Sequence, residues 1–122
     1  MNKLIEVRTH EQKKEKLEKV YSKALKFLKS AYKGLKENNV EEVQWWLGDL
    51  FILLCENKEL VDPIIYEAIV NLKNNLMNSV TTLLFFHTKF KSQKKLEQEM
   101  SSVVRMLEER VLDIQLFLQT ML

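Results

Sequence analysis

The sequence predicts an all-α fold: an antiparallel four-helix bundle, up-down-up-down, over approximately residues 10–37, 40–56, 63–90 and 93–121, with dimerisation as a means of completing it. Three observations predict it. Two glycines (Gly34, Gly48) and one proline (Pro63) in 122 residues are too few for the tight turns of an all-β chain. Apolar residues recur at alternating spacings of three and four, the beat of helices packed nearly parallel to one another. Helix-start signatures stand at intervals that leave room only for short connections. A chain of this length buries about two-thirds of its unfolded surface, enough for one core and one domain.

The first helix is expected to start near Thr9, because Thr9-His10-Glu11-Gln12 has the form of a capping box. Leu17, Tyr21, Ala24, Leu28, Ala31 and Leu35 then form its seam, widened by Val20, Leu25, Phe27 and Tyr32. Asn38-Asn39 ends it. Asn39-Val40-Glu41-Glu42 repeats the capping logic for the second helix, with two acids at the positive end of the helix dipole. That helix reads Val43, Trp46, Leu47, Leu50, Phe51, Leu53 and Leu54 as its apolar set, and Trp45 and Ile52 extend it until little of the circumference is polar. Asp62-Pro63, an N-cap acid followed by proline at the first helical position, opens the third helix. Its stripe is Ile65, Ile69, Leu72, Leu76, Leu83, Phe86 and Phe90. The connection His87 to Ser92 has neither Gly nor Pro, so the last two helices either break there, with Ser92 as cap, or run on as one rod. The fourth helix carries Leu96, Met100, Val103, Leu107, Val111, Ile114, Leu118 and Met121.

Charge is distributed by segment. Residues 1–36 hold eleven Lys/Arg against four Asp/Glu, a net +7, and residues 37–62 hold one against seven, a net −6, within an overall +2. Such blocks either pair inside the bundle or steer a charged partner. The single cysteine, Cys55, lies in an apolar run and reads as a small core hydrophobe in a reducing compartment. Charges interrupt the first apolar stretch and no apolar run approaches about 20 residues, so neither a signal peptide nor a membrane span is expected and the chain is placed in the cytoplasm.

Chemistry-bearing motifs are sparse. One Cys and two His, His10 and His87, fall short of a structural zinc set, and no Glu-x-x-His precedes either histidine. No metal, cofactor or catalytic residue is assigned. Leu47-Gly48-Asp49-Leu50 is similar to the second metal-binding motif of the all-α nucleotide pyrophosphohydrolases, often Glu-Leu-Gly-Asp-Leu. The resemblance covers about ten residues and implies a metal role for Asp49. Trp46 stands where the family has glutamate, so within the matched stretch one aspartate alone does not supply the converging oxygens that magnesium needs. Trp46-Leu47-Gly48 also resembles the Trp-x-Gly signature of small two-helix proteins secreted by the type VII pathway, but it falls inside a helix and not at a turn.

Two surfaces remain. The lysine face of the first helix, Lys19, Lys23, Lys26 and Lys33 among others, reads first as a solvated surface whose acids Glu11, Glu15 and Glu18 pair with lysines a turn away. With Lys89, Lys91, Lys94 and Lys95 it reads alternatively as a phosphate-tracking surface for nucleic acid. The aromatic and apolar excess, Trp45, Trp46, Phe51, Leu84, Phe85 and Phe117, exceeds what one seam buries and is the candidate partner-binding set. The expectation is a non-enzymatic interaction protein that binds another protein or a second copy of itself, with no membrane and no small-molecule substrate. Its alternatives are a nucleic-acid-binding subunit and a divergent pyrophosphohydrolase.

Overall fold

The computed structural model describes the backbone of residues 2–37, 39–86 and 93–120, and the side chains of these except 2–9, 40, 77, 79–86 and 93. Among the described residues the chain forms four α-helices and no strand: α1 Asn2–Lys36, α2 Val40–Glu56, α3 Pro63–Phe86 and α4 Gln93–Thr120. Helix α1 packs against α2 and α4, and α3 packs against the same two, with the closer packing on the α1 side. The residues at 87–92, including His87 and Phe90, lie outside the described residues, and so does the expected break or run-on between the last two helices.

The seams follow the apolar beat. Buried residues are Val20, Tyr21, Ala24, Leu28, Ala31 and Leu35 on α1, Val43, Leu47, Leu50 and Leu54 on α2, Ile65, Ile69, Leu72 and Leu76 on α3, and Leu96, Met100, Val103, Leu107 and Ile114 on α4. Val61 plugs the α2–α3 turn. No polar or charged residue is buried among those described. Burying one Leu or Ile contributes about 1.5–3 kcal/mol, whereas a helix cap contributes about 1, so the seams dominate stability and the caps set where helices start.

Two expectations need correction. Helix α1 begins at Asn2, not near residue 10, so Thr9 lies within the helix and does not cap it. The preceding segment contains no Gly or Pro, and a helix once nucleated propagates through such residues at little cost. Cys55 is exposed, not a core residue. Leu54 takes the buried position, and the next residue turns 100° away to where Cys55 Sγ lies 3.8 Å from Tyr66 Oη.

The α1–α2 turn is closed by Asn39 from both sides. Its backbone N–H donates to the Gly34 carbonyl (2.8 Å), the six-residue closure of a Schellman motif, and its side-chain oxygen accepts from the Glu42 N–H (3.2 Å). Because that backbone N–H is already engaged, Glu42 has no need to complete the box. Gly34 permits the approach: a Cβ there would lie 3.2 Å from Glu42 Cβ and 3.3 Å from the Val43 backbone nitrogen.

The α2–α3 turn converges on Asp62. Its Oδ1 accepts from the Ile64 N–H (2.9 Å) and caps α3; its Oδ2 meets Arg110 of α4 at 2.9 Å; its own backbone N–H donates to Tyr21 Oη of α1 at 2.9 Å. One residue at the end of α2's exit turn therefore touches three helices. Replacing Asp62 by Ala is expected to cost about 1–2 kcal/mol through the lost cap. Asp62→Asn, which keeps a capping oxygen and loses only the half-exposed ion pair, is expected to cost under about 1 kcal/mol. Urea unfolding followed by circular dichroism separates the two, and equal losses would show that the cap contributes nothing.

Candidate functional site

Helix α2 has two opposed faces. At 100° per residue, Val43, Leu47, Leu50 and Leu54 point into the core, and Glu41, Trp45, Asp49, Ile52 and Glu56 fall within an arc of about 80° on the opposite side. Trp45 is 70% exposed and Ile52 56% exposed, seven residues apart and thus about 10.5 Å along the axis. Gly48 sits at the edge of this arc, and a Cβ added to it would meet nothing within 4 Å.

The flank toward α1 continues the apolar surface. Trp46 is half-buried against the core, its ring 5.7 Å from Phe27 and 5.9 Å from Trp45, so three aromatic rings run from α1 onto the outer face of α2. Beyond them lies a shallow groove of about 160 Å³ between α1 and α2, lined by Lys23, Phe27, Asp49, Ile52, Leu53 and Glu56. Lys23 stands over Phe27, its Nζ 5.9 Å from the ring centre.

The sequence grouped six apolar residues as a partner surface, and the structure brings together only Trp45 and Trp46. Phe51 lies on the other flank of α2, covered by Lys73 of α3 with Nζ 3.7 Å from the ring centre. Phe117 belongs to the α1–α4 seam, where His10 meets it edge-on at 5.6 Å and Lys14 approaches to 5.6 Å. The side chains of Leu84 and Phe85 lie outside the described residues. Ile52 was visible only as part of a greasy circumference; its i+7 relation to Trp45 was the signal. Leu112 (55% exposed) and Leu116 (51%), four apart on α4, were missed because they sit beside the seam positions Val111 and Ile114.

The basic surface is exposed at Lys19, Lys23, Lys26 and Lys33 on α1 and at Lys94 and Lys95 on α4, while Lys89 and Lys91 lie outside the described residues. Among the described residues the ion pairs are Lys29–Glu108 (3.7 Å) and Arg110–Asp62 (2.9 Å). The expected pairing of Glu11, Glu15 and Glu18 with lysines along α1 is not formed among them; Glu18 instead accepts from Ser22 and from Gln115 of α4. Nor do the basic first segment and the acidic second one pair: Glu41, Asp49 and Glu56 hold no ion pair among the described residues.

A larger cavity of about 550 Å³ opens between α1, α4 and the α2–α3 turn, with His10, Lys14, Tyr21, Asp62, Arg110 and Phe117 in its wall. Most of these groups already tie helices together, as the Asp62 and Phe117 contacts above describe. Burial pushes the Tyr21 hydroxyl above the usual tyrosine range; the Asp62 N–H pulls the other way and the Asp62 carboxylate adds to the rise. Among the described residues no three His, Cys, Asp or Glu side chains come together in a metal-binding group, and Asp49, the residue that resembles the pyrophosphohydrolase ligand, lines the α1–α2 groove. No helix among the described residues is long and apolar enough to cross a membrane.

Comparison with protein-family models, with curated proteins and with solved structures finds no match to this chain.

A raised folded-state value for Tyr21 means that the fold holds the phenol proton more tightly than the unfolded chain does. That contribution is fully present below the unfolded tyrosine range near about pH 10 and is lost as pH rises through the folded value. Between about pH 9 and 11 the urea midpoint of Tyr21→Phe is expected to fall less steeply than that of the parent. Parallel slopes would show that Tyr21 does not couple to alkaline stability.

Proposed function

We propose that this chain is a non-enzymatic protein-interaction module that engages another protein, or a second copy of itself, through the outer face of α2. The observation that carries this reading is the pair Trp45 and Ile52, two large apolar side chains held in solvent directly opposite the buried side of their own helix. Fully exposing a tryptophan forgoes several kcal/mol that burial would return, and tryptophan is the residue type most enriched at the energetic centres of interfaces. The Trp45 ring lies 5.9 Å from that of Trp46, which in turn lies 5.7 Å from Phe27, so the exposed indole continues an apolar surface that a partner can bury.

The platform for that face is a bundle whose helices alternate in direction. Supporting this are contacts that run in opposite order along paired helices: His10 with Phe117, Glu18 with Gln115 and Lys29 with Glu108 for α1 and α4; Phe27 with Trp46 and Gly34 with Val43 for α1 and α2; Phe51 with Lys73 and Cys55 with Tyr66 for α2 and α3. Alternation presents α2 between α1 and α3 with its third side open.

The two tryptophans are expected to separate in experiment. Trp45→Glu should change stability by no more than about 0.5 kcal/mol, whereas Trp46→Glu should cost about 2–4 kcal/mol by placing a charge in a half-buried apolar contact. A photo-crosslinking side chain at position 48, where there is open space, should trap an adduct in cells that Trp45→Glu abolishes and that the same probe at the exposed Asn74 does not give. Identical adducts from both positions, or none from position 48, would dismiss the face as an interface.

A second reading follows from Lys19, Lys26 and Lys33 of α1, which hold no ion pair among the described residues, whereas Lys29 meets Glu108 of α4. Lys19, Lys26 and Lys33, seven apart and exposed, present one row of positive charge to a phosphate backbone. If that row binds nucleic acid, changing all three to Glu should reduce duplex affinity at least about tenfold at low salt, with a steep salt dependence in the parent. Fluorescence anisotropy with a labelled duplex is the measurement, and salt-independent binding retained by the triple variant would refute the reading.

A further inference from the structure

We infer that the occupant of the α2 face is a basic amphipathic helix of another protein and not a second copy of this chain; the inference rests on the interaction reading above and specifies its partner. The argument begins with charge. Every charged residue of α2 is acidic, namely Glu41, Glu42, Asp49 and Glu56, and three of them share the outward arc with Trp45 and Ile52. Along that arc acid and apolar side chains alternate as Glu41, Trp45, Asp49, Ile52, Glu56, from residue 41 to residue 56 or about 22 Å. Glu41, Asp49 and Glu56 have no ion-pair partner among the described residues, although the lysine-rich α1 lies alongside. The nearest cation in the groove, Lys23, stands over the Phe27 ring.

Self-association through this face fails on the same charges. In a two-fold antiparallel pairing centred between Gly48 and Asp49, Trp45 of one copy would meet Ile52 of the other, which suits the apolar residues. Glu41 would then face Glu56, and the two Asp49 residues would flank the axis. A parallel pairing sets each acid against its own copy. Both arrangements bring like charges together in a closing, dehydrating interface, where repulsion is strongest. Docking the lysine face of α1 from another copy would satisfy the charges but leave Trp45 and Ile52 without cover, because among the described residues the exposed large hydrophobics lie on α2, α3 and α4 and none on α1. Nucleic acid and anionic lipid surfaces are repelled by the same acids.

A helix with apolar residues at heptad spacing and Lys or Arg flanking them meets every requirement. Its apolar positions recur at about 10.5 Å, the Trp45–Ile52 separation. Its flanking cations reach Glu41, Asp49 and Glu56 at the rim.

The test uses the full-length chain and three synthetic helical peptides that share one leucine heptad pattern and differ in their flanking residues: lysine, glutamine or glutamate. Binding is read by isothermal titration and by tryptophan emission, and the mass of the chain alone is followed by light scattering over concentration. The lysine peptide is expected to bind at least about tenfold more tightly than the glutamate peptide at low salt, with the gap narrowing as salt screens the charges. In a variant carrying Glu41→Lys, Asp49→Lys and Glu56→Lys the preference is expected to reverse, and Ile52→Ala should weaken all binding. Equal binding of all three peptides would leave α2 as an interface and overturn its basic partner. A dimer abolished by Ile52→Ala would overturn it in favour of self-association. Binding of none of the peptides would overturn both this inference and the interaction reading.

Discussion

Asp62 supplies the directional constraint on which the arrangement of the helices depends. The core is wholly apolar among the described residues, and apolar burial, although it dominates the free energy, is indifferent to small rotations and slips of one helix against another. Hydrogen bonds are not. The three bonds of Asp62, to Tyr21 on α1, to the start of α3 and to Arg110 on α4, fix where the α2–α3 turn sits relative to both outer neighbours. Asn39 does the same at the other end of α2, closing α1 with its amide and opening α2 with its side chain. Helix α2 is therefore pinned at both ends, and its rotation about its own axis is set before any partner arrives.

That fixed rotation gives α2 its two characters. A 17-residue helix with apolar residues nearly all round can bury only one side in a bundle of this size, so fixing Leu47, Leu50 and Leu54 inward forces Trp45 and Ile52 outward. The half-buried Trp46 and Phe27 join the two regions, so the exposed indole rests on the core and does not hang free. The proposed interface is a by-product of core geometry: the same heptad phase that stabilises the fold determines which greasy residues are left over.

Charge segregation is the second consequence. With α1 basic and α2 acidic, cross-helix neutralisation was one outcome open to the bundle, yet among the described residues the ion pair α1 makes is with Glu108 of α4, and Lys23, which lines the α1–α2 groove, stands over Phe27. The residues of the α1–α2 seam are apolar, and the charged residues among those described stay at the surface, where each keeps its water. The outcome is one molecule with an acidic, aromatic face and a separate lysine face, which suits the separate readings proposed for them.

The sequence by itself determined the helical class, most of the seam residues whose side chains are described, the Asn39 and Asp62 starts and the two blocks of charge, because periodicity, capping and composition are local properties that one helix expresses without its neighbours; Leu83, Phe86, Phe90 and Met121 of the expected stripes lie outside those side chains. It placed the start of α1 too late and Cys55 inside, where a cap signature and an apolar run competed with helix propagation and with the phase of the buried stripe. Tertiary structure alone decided that Trp45 and not Trp46 faces solvent, that Phe51 and Phe117 are covered by Lys73, His10 and Lys14, and that among the described residues the α1 lysines and α2 acids form no ion pair. Each of those outcomes depends on which side of a nearly all-apolar helix meets a neighbour, and that is fixed only when four helices pack at once and a few buried-edge hydrogen bonds choose the register.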